Sequence, residues 1–125
     1  MKEAYLYEKL EDQKVRCFLC NHRCLIKDGL KGICGVRENR GGTLFSLVYG
    51  QVIARHVDPI EKKPLYHFYP GSSCYSLGSW GCNFHCINCQ NWQISCVETP
   101  AETGRRPQKI WPQQAISLAK RNKCQ

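Results

Sequence analysis

The order of hydrophobic and polar positions predicts strands in the middle of the chain and one helix near its end. Thr43 to Val57 is rich in β-branched and aromatic residues, and Glu38 to Gly42 before it has the composition of a turn. We therefore expect a β-hairpin, with Gly50-Gln51 as a second turn. Ser73 to Ser79 alternates loosely, which predicts a short strand. Pro112, followed by QQAISLAKRNK, predicts a helix with proline in its first turn.

Prolines interrupt the strand pattern and indicate a boundary. Asp58-Pro59 and Lys63-Pro64 bias the chain away from helix, and Pro70-Gly71 closes the segment. We therefore expect an α/β chain in two parts. Residues 1–72 would form a cysteine-rich, β-hairpin module, and residues 73–125 would form a second part.

Cysteine is the unusual feature of the composition, with ten in a chain of 125 residues. No stretch approaches the roughly 20 apolar residues of a membrane span. The start, MKEAYLYEKLEDQ, has acids where a signal peptide has its apolar core. We therefore expect a cytoplasmic protein with no membrane partner. In a reducing compartment, clustered cysteines more often bind metals than form disulfides.

The formal charge of +8 raises the question of nucleic acid. Between Pro64 and Gly104, however, there is no Lys or Arg, although seven of the 13 aromatic residues lie there. An aromatic stretch without cations is not typical of a groove that follows phosphates, so we expect no nucleic-acid partner. A zinc-stabilised module that contacts nucleic acid through a basic N-terminal loop stays open as an alternative.

The clearest chemical motif follows the strand predicted over Ser73–Ser79. It is a C-x3-C-x2-C arrangement of Cys82, Cys86 and Cys89. Thiolates are the preferred ligands of iron–sulfur centres, and three ligands leave one iron of a [4Fe-4S] cluster open to an outside molecule. Spacing also allows a closed electron-transfer cluster, with Cys96 or Cys74 as fourth ligand, or a zinc site.

This motif resembles the cluster motif of radical S-adenosylmethionine (radical SAM) enzymes. With its neighbours, it is similar to the AmmeMemoRadiSam-system radical enzymes, which are often named homologues of the pyruvate formate-lyase-activating enzyme. The similar segments are RCFLCNHRC, KGICGVRENRGG, LVYG, HVDPIEKKPLYHFYPGS and GCNFHCINCQNWQIS. The resemblance implies that Cys82, Cys86 and Cys89 hold a [4Fe-4S] cluster whose open iron binds S-adenosylmethionine. Reductive cleavage would then give a 5′-deoxyadenosyl radical for hydrogen abstraction.

The resemblance also implies a fold and partners. The family fold is a partial barrel of six strand–helix units, of which this chain would supply only the first strand and helix, as an N-terminal fragment that is inactive alone. The implied partners are S-adenosylmethionine, a reductant such as flavodoxin or ferredoxin, and a protein substrate. Asn88 stands where such enzymes often have an aromatic residue near the adenine. It is therefore a candidate cofactor contact.

A second set of cysteines lies near the N-terminus and is called here the N-terminal cysteine group. Four thiols within 18 residues suit one tetrahedral site, holding zinc or an auxiliary [4Fe-4S] cluster. Nearby cations favour the thiolate form that binds metal. The group consists of Cys17, Cys20, Cys24 and Cys34.

Overall fold

A computed structural model describes residues 1–124 and shows a small mixed α/β fold. Every strand pair among these residues is antiparallel. In chain order the elements are β1 Lys2–Glu3, β2 Tyr7–Lys9, β3 Val15–Cys17, β4 Leu25–Ile26, β5 Arg37–Arg40, β6 Thr43–Ser46, β7 Gln51–Val52, β8 Ala54–Pro59, β9 Ser73–Gly78, α1 Trp92–Ser95, β10 Gln108–Lys109 and α2 Pro112–Arg121.

The chain forms two compact units, each built from two separate stretches. Unit 1 comprises Met1–Tyr49 and Trp80–Arg106, and unit 2 comprises Gly50–Ser79 and the residues from Pro107 onward. This division by compactness differs from the sequence division at residue 72, which stays a prediction about domains. Both cysteine motifs belong to unit 1.

Unit 1 contains two three-stranded sheets, in the orders β1-β6-β5 and β2-β3-β4. Their apolar residues meet in one small core of Ala4, Val15, Cys17, Ile26 and Leu44. Burying this apolar area is the main stabilising contribution to the unit. Because Cys17 belongs to the core, one thiol of the N-terminal cysteine group is held by packing.

A buried polar residue fixes the β5–β6 hairpin to its surroundings. Asn39 is fully buried. Its Nδ2 donates to the carbonyls of Gln13 (2.7 Å) and Ile26 (2.9 Å), and its Oδ1 accepts from the backbone N–H of Gly42 (3.0 Å). A buried amide must satisfy its donors and acceptor in this way. Asn39 therefore connects three segments of unit 1.

Unit 2 contains two two-stranded sheets, β8-β9 and β10-β7, together with α2 and a 3-10 turn at Ile60–Lys62. The β8–β9 register runs from Ala54 opposite Gly78 to Pro59 opposite Ser73. Ile53, Ile60 and Ile110 are its buried apolar residues.

Several sequence expectations are confirmed and two need correction. The hairpin, the strand at Ser73–Gly78 and the helix beginning at Pro112 are present. The turn that was predicted over Glu38–Gly42 is only Gly41-Gly42, both at positive φ, because Glu38 to Arg40 pair with β6. Gly50-Gln51 does not join paired strands, since β6 pairs with β1 and β5 while β7 pairs with β10. Among residues 1–124, no helix is long and apolar enough to cross a bilayer.

Candidate metal centre

The three-cysteine loop, defined here as Gly81–Cys89, begins at a glycine that the fold requires. Gly81 has φ +83°, and a Cβ there would lie 2.4 Å from Val36 Cγ1 and 2.7 Å from the Cys34 carbonyl oxygen. Only glycine combines this backbone angle with so close an approach. The start of the loop therefore packs directly on the segment that follows Cys34.

Backbone hydrogen bonds connect the start and the end of the three-cysteine loop to the residues that follow it. The Gly81 N–H donates to the Ile94 carbonyl at 2.8 Å, and the Trp92 N–H donates to the Cys89 carbonyl at 3.3 Å, where α1 starts. Residues 81–91 themselves form neither strand nor helix. The three thiols of Cys82, Cys86 and Cys89 are thus carried by one closed, irregular loop.

Two of these thiols already have polar contacts. Cys82 Sγ accepts from the Phe84 N–H at 3.4 Å, and Cys89 Sγ lies 3.0 Å from Ser95 Oγ. Cys82 and Cys89 are half-buried, while Cys86 is exposed. Hydrogen bonds to sulfur are among the features by which proteins tune iron–sulfur centres.

The donor set of the loop fits an iron–sulfur centre by its chemistry. Within the part of the chain that the structure describes, no three Cys, His, Asp or Glu side chains stand close enough to hold a metal ion. The loop contains three thiols, one histidine and no carboxylate, and soft thiolates select iron–sulfur clusters and zinc. Ligation of one cluster would therefore require the three thiols to come closer together than the structure places them.

The candidate fourth ligands differ in position. Ser95 Oγ, which contacts Cys89, also lies 3.5 Å from Cys96 Sγ, so Cys96 belongs to the surroundings of the loop. Cys74 lies in β9 of unit 2, where its Sγ is 3.8 Å from Ser76 Oγ. Asn88 is exposed, and its side chain makes no hydrogen bond to residues 1–124. Its predicted contact with a cofactor stays a prediction.

The N-terminal cysteine group lines one cavity of about 650 Å³ in unit 1. Cys82 of the three-cysteine loop lines the same cavity. A smaller cavity of about 300 Å³ has Cys34, Cys82, His85 and Cys96 in its wall. The fold thus brings the two cysteine motifs to neighbouring positions, a relation that their separation in the sequence does not indicate.

His22 is a connecting residue that sequence reasoning missed. His22 is exposed, and its Nε2 lies 2.6 Å from the Asn83 carbonyl oxygen. Because a carbonyl only accepts, Nε2 is the donor here. This bond links the turn of the N-terminal cysteine group to the three-cysteine loop. No local sequence pattern could have revealed it, because 61 positions separate the two residues.

Much of the basic charge around the N-terminal cysteine group is used internally. Lys14 pairs with Asp12, and Arg16 pairs with Glu8. Arg40 pairs with Glu38 and lowers the pKa of that carboxyl below its ordinary value. Arg37 is buried. These four cations are therefore engaged within unit 1.

Two proteins of Methanocaldococcus jannaschii are similar to this chain. Uncharacterized protein MJ0808 is 48% identical over 124 residues, which is 99% of this chain and 36% of that protein. Uncharacterized protein MJ0674 is 32% identical over 82 residues, which is 65% of this chain and 19% of that protein. The chain thus spans about a third or less of the length of these relatives. No family model matches the chain, and no solved structure matches it.

Proposed function

We propose that the chain is the cluster-binding part of a radical SAM enzyme of the AmmeMemoRadiSam type. The observation that carries the proposal is the three-cysteine loop, which offers three thiols and no carboxylate in one segment closed by the Gly81–Ile94 hydrogen bond. Three thiols leave one iron of a [4Fe-4S] cluster without a protein ligand. An open coordination position is the mark of a catalytic metal site.

The chemistry would come largely from the cofactors. When bound, the cluster supplies one electron for the reductive cleavage of S-adenosylmethionine to methionine and a 5′-deoxyadenosyl radical, which abstracts a hydrogen atom from the substrate. The chain's own part is to hold the cluster. The hydrogen bond from the Phe84 N–H to Cys82 Sγ and the contact between Ser95 Oγ and Cys89 Sγ support two of the three thiols. Flavodoxin or ferredoxin in the cytoplasm would be the electron donor, and a protein is the proposed substrate.

The proposed barrel is supported by the order of elements around the loop. β9 ends at Gly78, shortly before Cys82, and α2 follows after the loop. In a barrel of this family these elements would be the first strand and helix. The rest of the barrel, with the enclosure that shields a radical from water, would come from further chain.

A closed electron-transfer cluster is the second candidate, favoured by the position of Cys96. The thiols of Cys96 and Cys89 both contact Ser95 Oγ, so Cys96 could serve as the fourth ligand. A cluster with four thiolates has no open iron and would carry electrons without binding S-adenosylmethionine.

Anaerobic reconstitution of the chain with iron and sulfide, followed by electron paramagnetic resonance of the reduced protein, separates the candidates. We expect a [4Fe-4S]⁺ signal that shifts when S-adenosylmethionine is added. Cys82→Ala, Cys86→Ala or Cys89→Ala should each remove the component of the signal that responds to S-adenosylmethionine, whereas Cys124→Ala, a matched thiol in the C-terminal segment, should leave it. An iron-free protein, or a signal indifferent to S-adenosylmethionine, would contradict the proposal.

Cys96→Ser decides between the open and the closed cluster. If the loop leaves one iron open, this variant keeps both the cluster signal and its shift. If Cys96 is the fourth ligand, the variant changes the signal before any S-adenosylmethionine is added.

A further inference from the structure

The β3–β4 hairpin places two thiols of the N-terminal cysteine group opposite each other. The register pairs Val15 with Ile26 and Arg16 with Leu25, and the Cys17 N–H donates to the Cys24 carbonyl at 2.9 Å. Residues opposite each other in an antiparallel pair have Cβ atoms about 4.5–5.5 Å apart. Cys17 is buried in the core, and Cys24 packs against that core. One pair of donors is therefore fixed by sheet geometry.

The other two thiols come from loops beside this pair. Cys20 lies in the hairpin turn, which the bond from the Arg23 N–H to the Cys20 carbonyl (3.2 Å) closes. Cys34 lies in a turn closed by the bond from the Gly35 N–H to the Gly32 carbonyl (2.9 Å). Gly32 itself packs beside Cys24, since a Cβ there would lie 3.7 Å from Cys24 Sγ. All four cysteines line the cavity of about 650 Å³. Because no three metal-ligating side chains of residues 1–124 stand close enough to hold a metal ion, binding would draw the thiols of this group closer together.

A buried cation points at the same group of thiols. Arg37 is 7% exposed. Its Nη1 donates to Cys17 Sγ at 2.9 Å, and its Nη2 donates to the Tyr5 carbonyl. No carboxylate in residues 1–124 pairs with it. A buried charge is costly unless an opposite charge accompanies it. A metal held by four thiolates carries net negative charge and would supply that partner.

We propose that Cys17, Cys20, Cys24 and Cys34 bind one closed tetrathiolate metal centre, a zinc ion or a [4Fe-4S] cluster, whose charge Arg37 compensates. The centre is structural, because four protein ligands leave no open position. It is separate from the three-cysteine loop and does not depend on the function proposed for that loop.

Metal content tests the centre without reference to the three-cysteine loop. The parent for this test is the full chain with Cys82, Cys86 and Cys89 replaced by alanine, purified anaerobically. We expect it to hold one zinc per chain, or four irons with acid-labile sulfide. Either result supports the centre and identifies its occupant. A parent without bound metal would overturn the proposal.

Cys20→Ser in that parent shows which residues bind the metal without disturbing the core. After metal removal, Co²⁺ serves as the probe. Co²⁺ bound by four thiolates has intense sulfur-to-metal charge-transfer bands and intense d–d absorption bands in the visible. We expect Cys20→Ser to weaken Co²⁺ binding at least tenfold and to change the spectrum. Leu19→Ser, at an exposed neighbouring position of the same turn, is the matched control and should bind as the parent does. Equal binding by both variants would overturn the assignment.

Arg37→Gln tests the charge compensation. We expect the increase in unfolding midpoint that Co²⁺ gives the parent to shrink in this variant. Arg16→Gln, which removes a surface cation, should keep the increase. If Arg37 only packs, its loss lowers the midpoints of the metal-free and metal-bound chains equally, and that result would exclude the compensating role.

Discussion

At the scale of single residues, Gly81 determines how the three-cysteine loop begins. Its positive φ and its approach to Val36 and to the Cys34 carbonyl leave no room for a side chain. Gly29 offers a matched comparison, since it also has positive φ (+75°) but no atom within 4 Å of the point that a Cβ would occupy. Comparing alanine substitutions at Gly81 and Gly29 therefore separates the cost of backbone strain from the cost of steric overlap.

We expect Gly81→Ala to destabilise unit 1 by about 2–5 kcal/mol, the sum of a left-handed backbone and an overpacked contact. Gly29→Ala should cost only about 1–2 kcal/mol, because it carries the backbone cost alone. Urea unfolding followed by circular dichroism measures both. Equal losses would mean that the loop does not start against the Cys34–Val36 segment.

Asn39 is the second residue whose role follows from its contacts. Asn39→Asp keeps the shape but removes the Nδ2 donors to the carbonyls of Gln13 and Ile26. Leaving buried groups unsatisfied costs roughly 1–3 kcal/mol, and more when a charge is buried. We therefore expect a loss of at least about 2 kcal/mol in the free energy of unfolding, measured by urea titration.

Asn122→Asp is the control for that substitution. Asn122 Nδ2 also donates to a backbone carbonyl, that of Leu118, but on the surface, where water can replace it. Its loss should stay below about 1 kcal/mol. Similar losses at both positions would contradict the role assigned to Asn39.

At the scale of elements, the segment after β8 shows how a charged run can be structural. Asp58 accepts from Lys62 Nζ (2.9 Å), Lys63 Nζ (2.8 Å) and Ser76 Oγ (2.8 Å). These donors, with Lys63 first, hold the pKa of the Asp58 carboxyl well below its ordinary value. Glu61 accepts from the Gly71 N–H, and this bond lowers the pKa of that carboxyl too. The segment is thus an ion-paired cap on the β8–β9 pair.

We expect Asp58→Asn to reduce the loss of stability on acidification. A folded-state pKa below the unfolded one adds stability above the unfolded value, near pH 4, and that stability is lost as the pH falls through the folded value. Unfolding midpoints from pH 6 to pH 3 should therefore fall less steeply in Asp58→Asn than in the native chain. Glu11→Gln removes an exposed carboxylate that forms no ion pair within residues 1–124 and should keep the native profile. If the unfolding midpoint of Asp58→Asn depends on pH as that of the native chain does, the ion pairs of Asp58 do not stabilise the fold.

Local patterns predicted the elements that local physics decides. Pro112 and the basic last turn indicated α2, and the turn predicted over Glu38–Gly42 contains the Gly41-Gly42 turn that the structure shows. The pairing of β6 with β1 could not be predicted. β1 is only two residues long, too short to show the alternation of apolar and polar residues that is typical of a strand. One local pattern indicates the ion pairs of Asp58. Lys62 follows Asp58 by four positions, a spacing that brings the two charges together in the turn after β8.

At the scale of the whole molecule, the spacing of the cysteines predicted two candidate sites but not their neighbourhood. Cys34 and Cys82 line two common cavities of unit 1, and the His22–Asn83 bond joins the segments that carry the two motifs. Spacing records only which thiols are close along the chain. The packing of Gly81 on the Cys34–Val36 segment arises from tertiary structure, so one sequence could not reveal it.

The most direct test of an open iron at the three-cysteine loop is Mössbauer spectroscopy of the ⁵⁷Fe-reconstituted native chain. The spectrum of the variant with Cys82, Cys86 and Cys89 replaced by alanine is subtracted, to remove any iron that the N-terminal cysteine group holds. We predict one iron site in each cluster whose isomer shift changes when S-adenosylmethionine is added, while the other three stay constant. A spectrum that is identical with and without S-adenosylmethionine, with all irons in tetrahedral sulfur coordination, would contradict the account.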